Sequence, residues 1–86
     1  MNKYTATDSK GQLFKRGSKN RTYTHCVVAE WSNGEVESSW AGSPTLAAAR
    51  AQTFDNKRNI IGTADKYGYV WKNEIIRVEI LEAKEA

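Results

Sequence analysis

The side chains with the most chemistry to offer are four cations close together, Lys15, Arg16, Lys19 and Arg21, interleaved with Asn20, Thr22 and Tyr23. Arginine grips a phosphate through two parallel hydrogen bonds, and lysine attracts it as a point charge. The Asn20 amide and the Thr22 and Tyr23 hydroxyls add neutral hydrogen bonds to the same kind of ligand. Nothing in the set reads base identity, so its contacts are positional and weaken as salt rises. Charge along the chain is polarised to match. Residues 1–29 carry six cations and one acid, a balance of +5 (6 − 1), whereas residues 30–86 carry seven and nine, a balance of −2 (7 − 9). Such asymmetry suits an anionic partner. The plainer reading of the same residues is that a small domain keeps a net charge for solubility.

Other chemistry lacks its parts. The single histidine and single cysteine, His25 and Cys26, are neighbours in an alternating run, so a strand points them to opposite faces. That geometry suits neither a metal site nor a cysteine–histidine nucleophile. No glycine-rich phosphate loop is present, and no pair of acids is brought together by spacing. Neither catalytic activity nor a cofactor or metal is expected. His25 reads as a partly buried strand residue making one hydrogen bond. Trp31 and Trp40 alternate with Val27 and Val36 as a buried face would, while Trp71, between Val70 and Lys72, is open to a partner role as a stacking surface.

These residues must be held by a small scaffold. A chain of 86 residues makes one domain, residues 1–86. With 40% hydrophobic and 27% charged residues it has the composition of a folded protein. A lone cysteine forms no internal disulfide and suits a reducing compartment, so the expected setting is the cytoplasm. No uninterrupted apolar run exceeds four residues, and neither secretion nor membrane insertion is expected.

Residues 3–7 and 12–16 read as a hairpin around Asp8-Ser9-Lys10-Gly11, pairing Ala6 with Phe14 and Thr7 with Leu13. Residues 17–20 form a basic connecting loop. Residues 23–31 and 36–40 form a second hairpin on Asn33-Gly34, with a two-residue turn that sets Trp31 against Val36, Ala29 against Ser38 and Val27 against Trp40. One face then carries Tyr23, Val27, Trp31, Val36 and Trp40. Glu30 falls opposite Glu37 and needs a cation from the first hairpin.

Ser43-Pro44 starts a helix, Ser43 capping it and Pro44 taking the first helical position. Leu46, Ala47, Ala51 and Phe54 form its apolar face, and Gly62 lies just beyond its end. Residues 63–68 read as a turn and 69–71 as a short strand or aromatic loop. Residues 74–81 alternate as a closing strand with Ile76, Val78 and Ile80 inward and Arg77 and Glu79 outward, followed by a frayed tail. The expected fold is α+β, an antiparallel sheet of about five strands with one helix on one face in the order ββββαβ. Its core is expected to hold Phe14, Val27, Trp31, Trp40, Leu46, Phe54, Ile76, Val78 and Ile80.

The segments Arg21-Thr22-Tyr23-Thr24-His25-Cys26-Val27-Val28 and Trp40-Ala41-Gly42-Ser43-Pro44-Thr45-Leu46-Ala47 resemble a pattern in small phage- and mobile-element-encoded proteins, a group of gene neighbourhoods that includes anti-CRISPR proteins. The resemblance implies a non-enzymatic inhibitor in the host bacterial cytoplasm that docks on a CRISPR effector ribonucleoprotein. Many anti-CRISPR proteins are acidic and imitate DNA, whereas the first third of this chain is basic. A basic inhibitor meets guide RNA or an acidic protein surface instead. The alternative is a nucleic-acid-binding accessory or regulatory protein, contacting RNA or DNA backbone, and a structural or homodimeric role stays open. The partner-binding residues expected under both leading readings are Lys15, Arg16, Lys19, Asn20, Arg21, Tyr23 and Trp71.

Overall fold

The computed structural model describes residues 2–56 and 74–85. Within them lie β1 (Asn2–Thr7), β2 (Leu13–Ser18), β3 (His25–Trp31), β4 (Val36–Ala41), α1 (Pro44–Asn56), β5 (Ile75–Glu82) and β6 (Lys84–Glu85). The α+β class holds, but the strands form two three-stranded antiparallel sheets, β2-β1-β6 and β4-β3-β5, in place of one five-stranded sheet. The expected turn at 63–68, the 69–71 segment and the Gly62 stop lie outside the described residues.

The first hairpin forms in the expected register, Ala6 opposite Phe14 and Thr7 opposite Leu13. Gly11 at φ 82° closes its three-residue loop, with the Gly11 N–H donating to the Asp8 carbonyl at 3.1 Å. The second hairpin uses the same loop. Gly34 sits at φ 92°, its N–H donates to the Trp31 carbonyl at 2.9 Å, and no non-glycine residue among those described has positive φ. A two-residue type I′ turn needs Asn33 at positive φ as well. The loop is therefore one residue longer than expected, and pairing slips by one, to Glu30 opposite Val36, Ala29 opposite Glu37 and Cys26 opposite Trp40.

A one-residue slip sends every side chain of β4 to the other face. Val36 and Trp40 thus pack with Cys26 and Val28 against Ala6, Phe14 and Leu81, between the two sheets. Val27 and Ala29 face the other way, with Ala41, Ala47, Phe54 and Ile75, beneath the helix. The layers run helix, central sheet, first-hairpin sheet. Glu30 and Glu37 end on opposite faces, and the cation expected beside Glu30 is Lys10, at 2.9 Å. A side chain at Gly34 meets nothing within 4 Å, so Gly34→Ala carries only the conformational penalty. It is expected to cost about 1 kcal/mol, read from the urea midpoint at unchanged m-value.

Ser43 and Pro44 start the helix as expected: the Leu46 N–H donates to Ser43 Oγ at 3.1 Å. Ala47, Ala51 and Phe54 pack on the sheet, but Leu46 is 41% exposed. Ile76 and Ile80 are exposed too, contrary to expectation: among the described residues β5 is an edge strand of the central sheet, and Ile76 is the extra residue where its pairing shifts opposite Glu30 and Trp31. Arg77 and Glu79, expected outward, face the first hairpin. The tail is not frayed at Lys84–Glu85, which pair with β1, and the Ala83 N–H donates to the Thr24 carbonyl at 2.9 Å. The segment from Ile75 to Glu85 thereby joins the two sheets, β5 in one and β6 in the other.

An ion-pair group holds the first hairpin to the central sheet. Asp8 Oδ1 accepts from the Lys10 and Gln12 N–H groups at 3.0 and 2.8 Å, shaping the loop. Its other oxygen takes Arg77 Nη2 at 3.1 Å, and Arg77 Nε reaches Glu30 at 2.9 Å. Arg77 pairs also with Glu79, whose carboxylate accepts from the Ser9 N–H. No helix among the described residues is long and apolar enough to cross a membrane.

Candidate functional site

The inner face of β1 and β2 sets Arg16 opposite Tyr4. Alternation makes this the side turned toward the central sheet, since Tyr4 and Ala6 are buried there. Tyr23 stands beside them from the loop before β3. Its ring meets Tyr4 edge-on at 5.4 Å and Trp40 at 6.0 Å, and the Arg16 guanidinium lies over it, 5.9 Å from the centroid. The Tyr4 hydroxyl donates to the Arg21 carbonyl at 3.4 Å, and the Arg21 N–H donates to Ser18 Oγ at 2.9 Å. The basic loop is thus held by its own backbone, leaving its side chains uncommitted.

Beside this aromatic row is a cleft of about 220 Å³ lined by Arg16, Arg21, Tyr23, Ser38, Ser39, Trp40 and Arg50. Its cations come from three elements: Arg16 from β2, Arg21 from the following loop and Arg50 from the middle of α1. β4, which supplies Ser38, Ser39 and Trp40, is the edge of the central sheet among the described residues, paired with β3, and turns its other side here. Among the described residues no carboxylate lines the cleft; Glu37 lines the adjoining hollow with Ser38, Ser39 and Arg50, its carboxylate accepting from Trp31 Nε1. Glu85 faces Tyr4 from β6, on the far side of Tyr4 from Arg16. Arg50 Nε is buried and finds no hydrogen-bond partner among the described residues. Three arginines on one cleft whose described lining holds no carboxylate repel one another, and a buried unpaired donor is costly. An anion in the cleft relieves both, with the two serine hydroxyls as further donors.

The structure brings together Arg16, Arg21 and Tyr23 of the residues expected to bind a partner. It separates Lys15, which alternation puts on the outer face of β2, beside Thr5. Lys19 and Asn20 are exposed in the loop and do not line the cleft. Trp71 lies outside the described residues. Arg50, Ser38, Ser39 and Trp40 were missed. Trp40 followed from the assumed register, in which it was core on the other face. Arg50 left a signal, since it stands three residues after Ala47 and four before Phe54, a charge set into the helix's sheet-facing stripe.

His25 is partly buried, its Nδ1 2.7 Å from Thr24 Oγ1. Cys26 is fully buried between the sheets, where burial pushes its thiol up to about 11, so at neutral pH it is a protonated core side chain. Among the described residues no three His, Cys, Asp or Glu side chains gather as metal ligands. Comparison with known proteins finds no family model, no curated protein and no solved structure that matches this chain.

Proposed function

We propose that this chain acts by binding alone, gripping the phosphate backbone of a nucleic acid in the cleft of Arg16, Arg21 and Arg50. The observation that carries the reading is the convergence of three arginines from separate elements on a cleft with no carboxylate among its described lining residues, one of them holding a buried Nε with no hydrogen-bond partner among the described residues. Guanidinium matches phosphate in shape as well as charge. Tyr23 and Trp40 at the rim offer ring surface to a neighbouring base without selecting its identity. The resemblance to small phage-encoded inhibitors supplies the setting: RNA carried by a bacterial CRISPR effector, whose activity the bound protein blocks. An accessory protein on free RNA or DNA is the alternative, with the same cleft and a different partner.

The test compares wild type with the triple variant R16Q/R21Q/R50Q. Binding to labelled single-stranded RNA and to an assembled effector ribonucleoprotein is followed by fluorescence anisotropy between about 50 and 200 mM salt. The variant is expected to bind at least about tenfold more weakly, with a salt slope shallower by about 2, as loss of three phosphate contacts on a single strand requires. Circular dichroism checks that the fold persists. Binding to the effector alone favours the inhibitor, and binding to naked RNA favours the accessory protein. Unchanged affinity in the variant for both sinks the cleft reading.

A further inference from the structure

We propose that the outer face of the β2-β1-β6 sheet is a second nucleic-acid backbone contact, so that one molecule bridges two backbones. The inference goes beyond the cleft and, for bridging, rests on the cleft reading. Pairing puts Lys15 opposite Thr5, and Thr5 opposite Lys84, so a Lys-Thr-Lys row crosses three strands on one face. Lys3 joins it two residues along β1, beside Gly17, whose missing side chain leaves the lysine stem unscreened. Thr7 and Leu13 complete the face. The opposite side of the same sheet carries Tyr4, Ala6 and Phe14, packed on the central sheet. The two faces therefore point in opposite directions, one toward the cleft and one away from it.

The row itself holds three cations, Lys3, Lys15 and Lys84; among the described residues one carboxylate, Glu82, borders it, lining a hollow shared with Thr5, Thr7 and Lys84. The other carboxylates of the described neighbouring strands turn elsewhere: Asp8, Glu30 and Glu79 into the ion-pair group between the sheets, and Glu85 to the Tyr4 side. No ion pair among the described residues engages Lys3, Lys15 or Lys84, in contrast to Lys10, which is committed to Glu30. Neighbouring strands lie about 4.8 Å apart, so Lys15 and Lys84 stand roughly 10 Å apart across Thr5, with Lys3 about 7 Å along the strand. Flexible ammonium arms on that spacing reach successive phosphates, and the threonine hydroxyls donate to the same oxygens.

Charge complementarity selects this occupant over the others. A second copy of the chain on this face sets lysines against lysines. An anionic membrane draws on apolar and aromatic anchors, and among the described residues the face offers Leu13, 51% exposed, with Ile80, 49% exposed, at its margin and no aromatic ring. No aromatic ring among the described residues stands on the face, so its contact is to backbone and insensitive to sequence.

The experiment uses two differently labelled DNA duplexes and reads energy transfer between them as protein is added at low salt. Wild type is expected to raise the transfer. K3Q/K15Q/K84Q is expected to abolish it while still binding a single duplex within about threefold of wild type, and K3R/K15R/K84R to restore it, which separates charge from folding. R16Q/R21Q/R50Q is expected to bind through the lysine face alone and not to bridge. If that variant keeps wild-type affinity while the lysine variant loses it, the cleft reading fails and the lysine face stands. Undiminished transfer in the lysine variant, no transfer with wild type, or tighter binding to phosphatidylserine vesicles than to duplex overturns the proposal.

Discussion

Arg77→Met is expected to lower the melting temperature by about 10 °C or more, because it breaks the group joining the first hairpin to the central sheet. Arg77 is shared by Asp8, Glu30 and Glu79, and the Asp8 side chain has no exposed surface at all. With the guanidinium gone, Asp8 keeps its two loop N–H donors but leaves its second oxygen buried beside an apolar group. Removing one partner of a buried pair is far more damaging than removing both. Adding Asp8→Asn to the methionine variant is therefore expected to recover part of the loss, a coupling that thermal denaturation of the four members of the double-mutant cycle measures. Additive effects in that cycle count against the group acting as one unit.

The same residues predict an acid limb in stability. Burial works to raise the Asp8 carboxyl, but hydrogen bonds from Gln12, Arg77 and Lys10 outweigh it, holding the group below its ordinary value of 3.8. Glu30 is held below its ordinary 4.5 by hydrogen bonds from Lys10 and Arg77. A carboxylate depressed in the folded state takes up protons more readily when unfolded, so its contribution is present in full above the ordinary value and disappears as pH falls through the folded one. Urea midpoints are thus expected to be flat above about pH 5.5 and to drop below 4.5, continuing through 3.8 and lower. In the Arg77→Met protein this limb should be shallower, since part of the depression is lost with the arginine.

The second large effect lies under the helix. Phe54 is 9% exposed and packs with Val27, Ala29, Ala41, Ala47 and Ile75. The other residues that α1 presses on the sheet, Ala47 and Ala51, are small, so Phe54 supplies most of the apolar volume on this side. Phe54→Ala is expected to cost about 3 kcal/mol, the transfer of the ring plus the cavity it leaves. Leu46→Ala, on the same helix and of the same apolar character, is expected to stay within about 0.5 kcal/mol, since Leu46 is 41% exposed. Chemical denaturation of both variants separates the two positions. A Leu46 effect as large as that of Phe54 contradicts a helix that turns Phe54 to the sheet and Leu46 to the outside.

The local features were legible in the residues themselves. Asp8 through Gly11 encode a three-residue loop and its register, Ser43-Pro44 encodes the helix start, and the alternation of residues 25–31 encodes a strand, because each depends on torsion preferences and hydrogen bonds within a few residues. Arg16, Arg21 and Tyr23 were legible as a group for a related reason, since loop and strand end keep them close along the chain. Lys15 was not, because one step along a strand reverses a side chain and the chain does not announce which face another layer will cover.

Tertiary structure decided the rest. Asn33-Gly34 is compatible with two hairpin loops differing by one residue, and packing selects between them: the longer loop puts Val36 and Trp40 between the sheets and small Ser39 and Ala41 toward the helix side. That selection also carries Ser38, Ser39 and Trp40 to the cleft. Arg50 joins Arg16 and Arg21 only because α1 crosses the central sheet beside the edge of β4, bringing together residues 34 (50 − 16) and 29 (50 − 21) positions apart along the chain. The amino-acid sequence by itself determined where turns, strands and helix begin and how charge is distributed along the chain. Which charges meet, and across which faces, was decided by layer packing, since burial of apolar surface is non-directional and only the assembled layers give it a side.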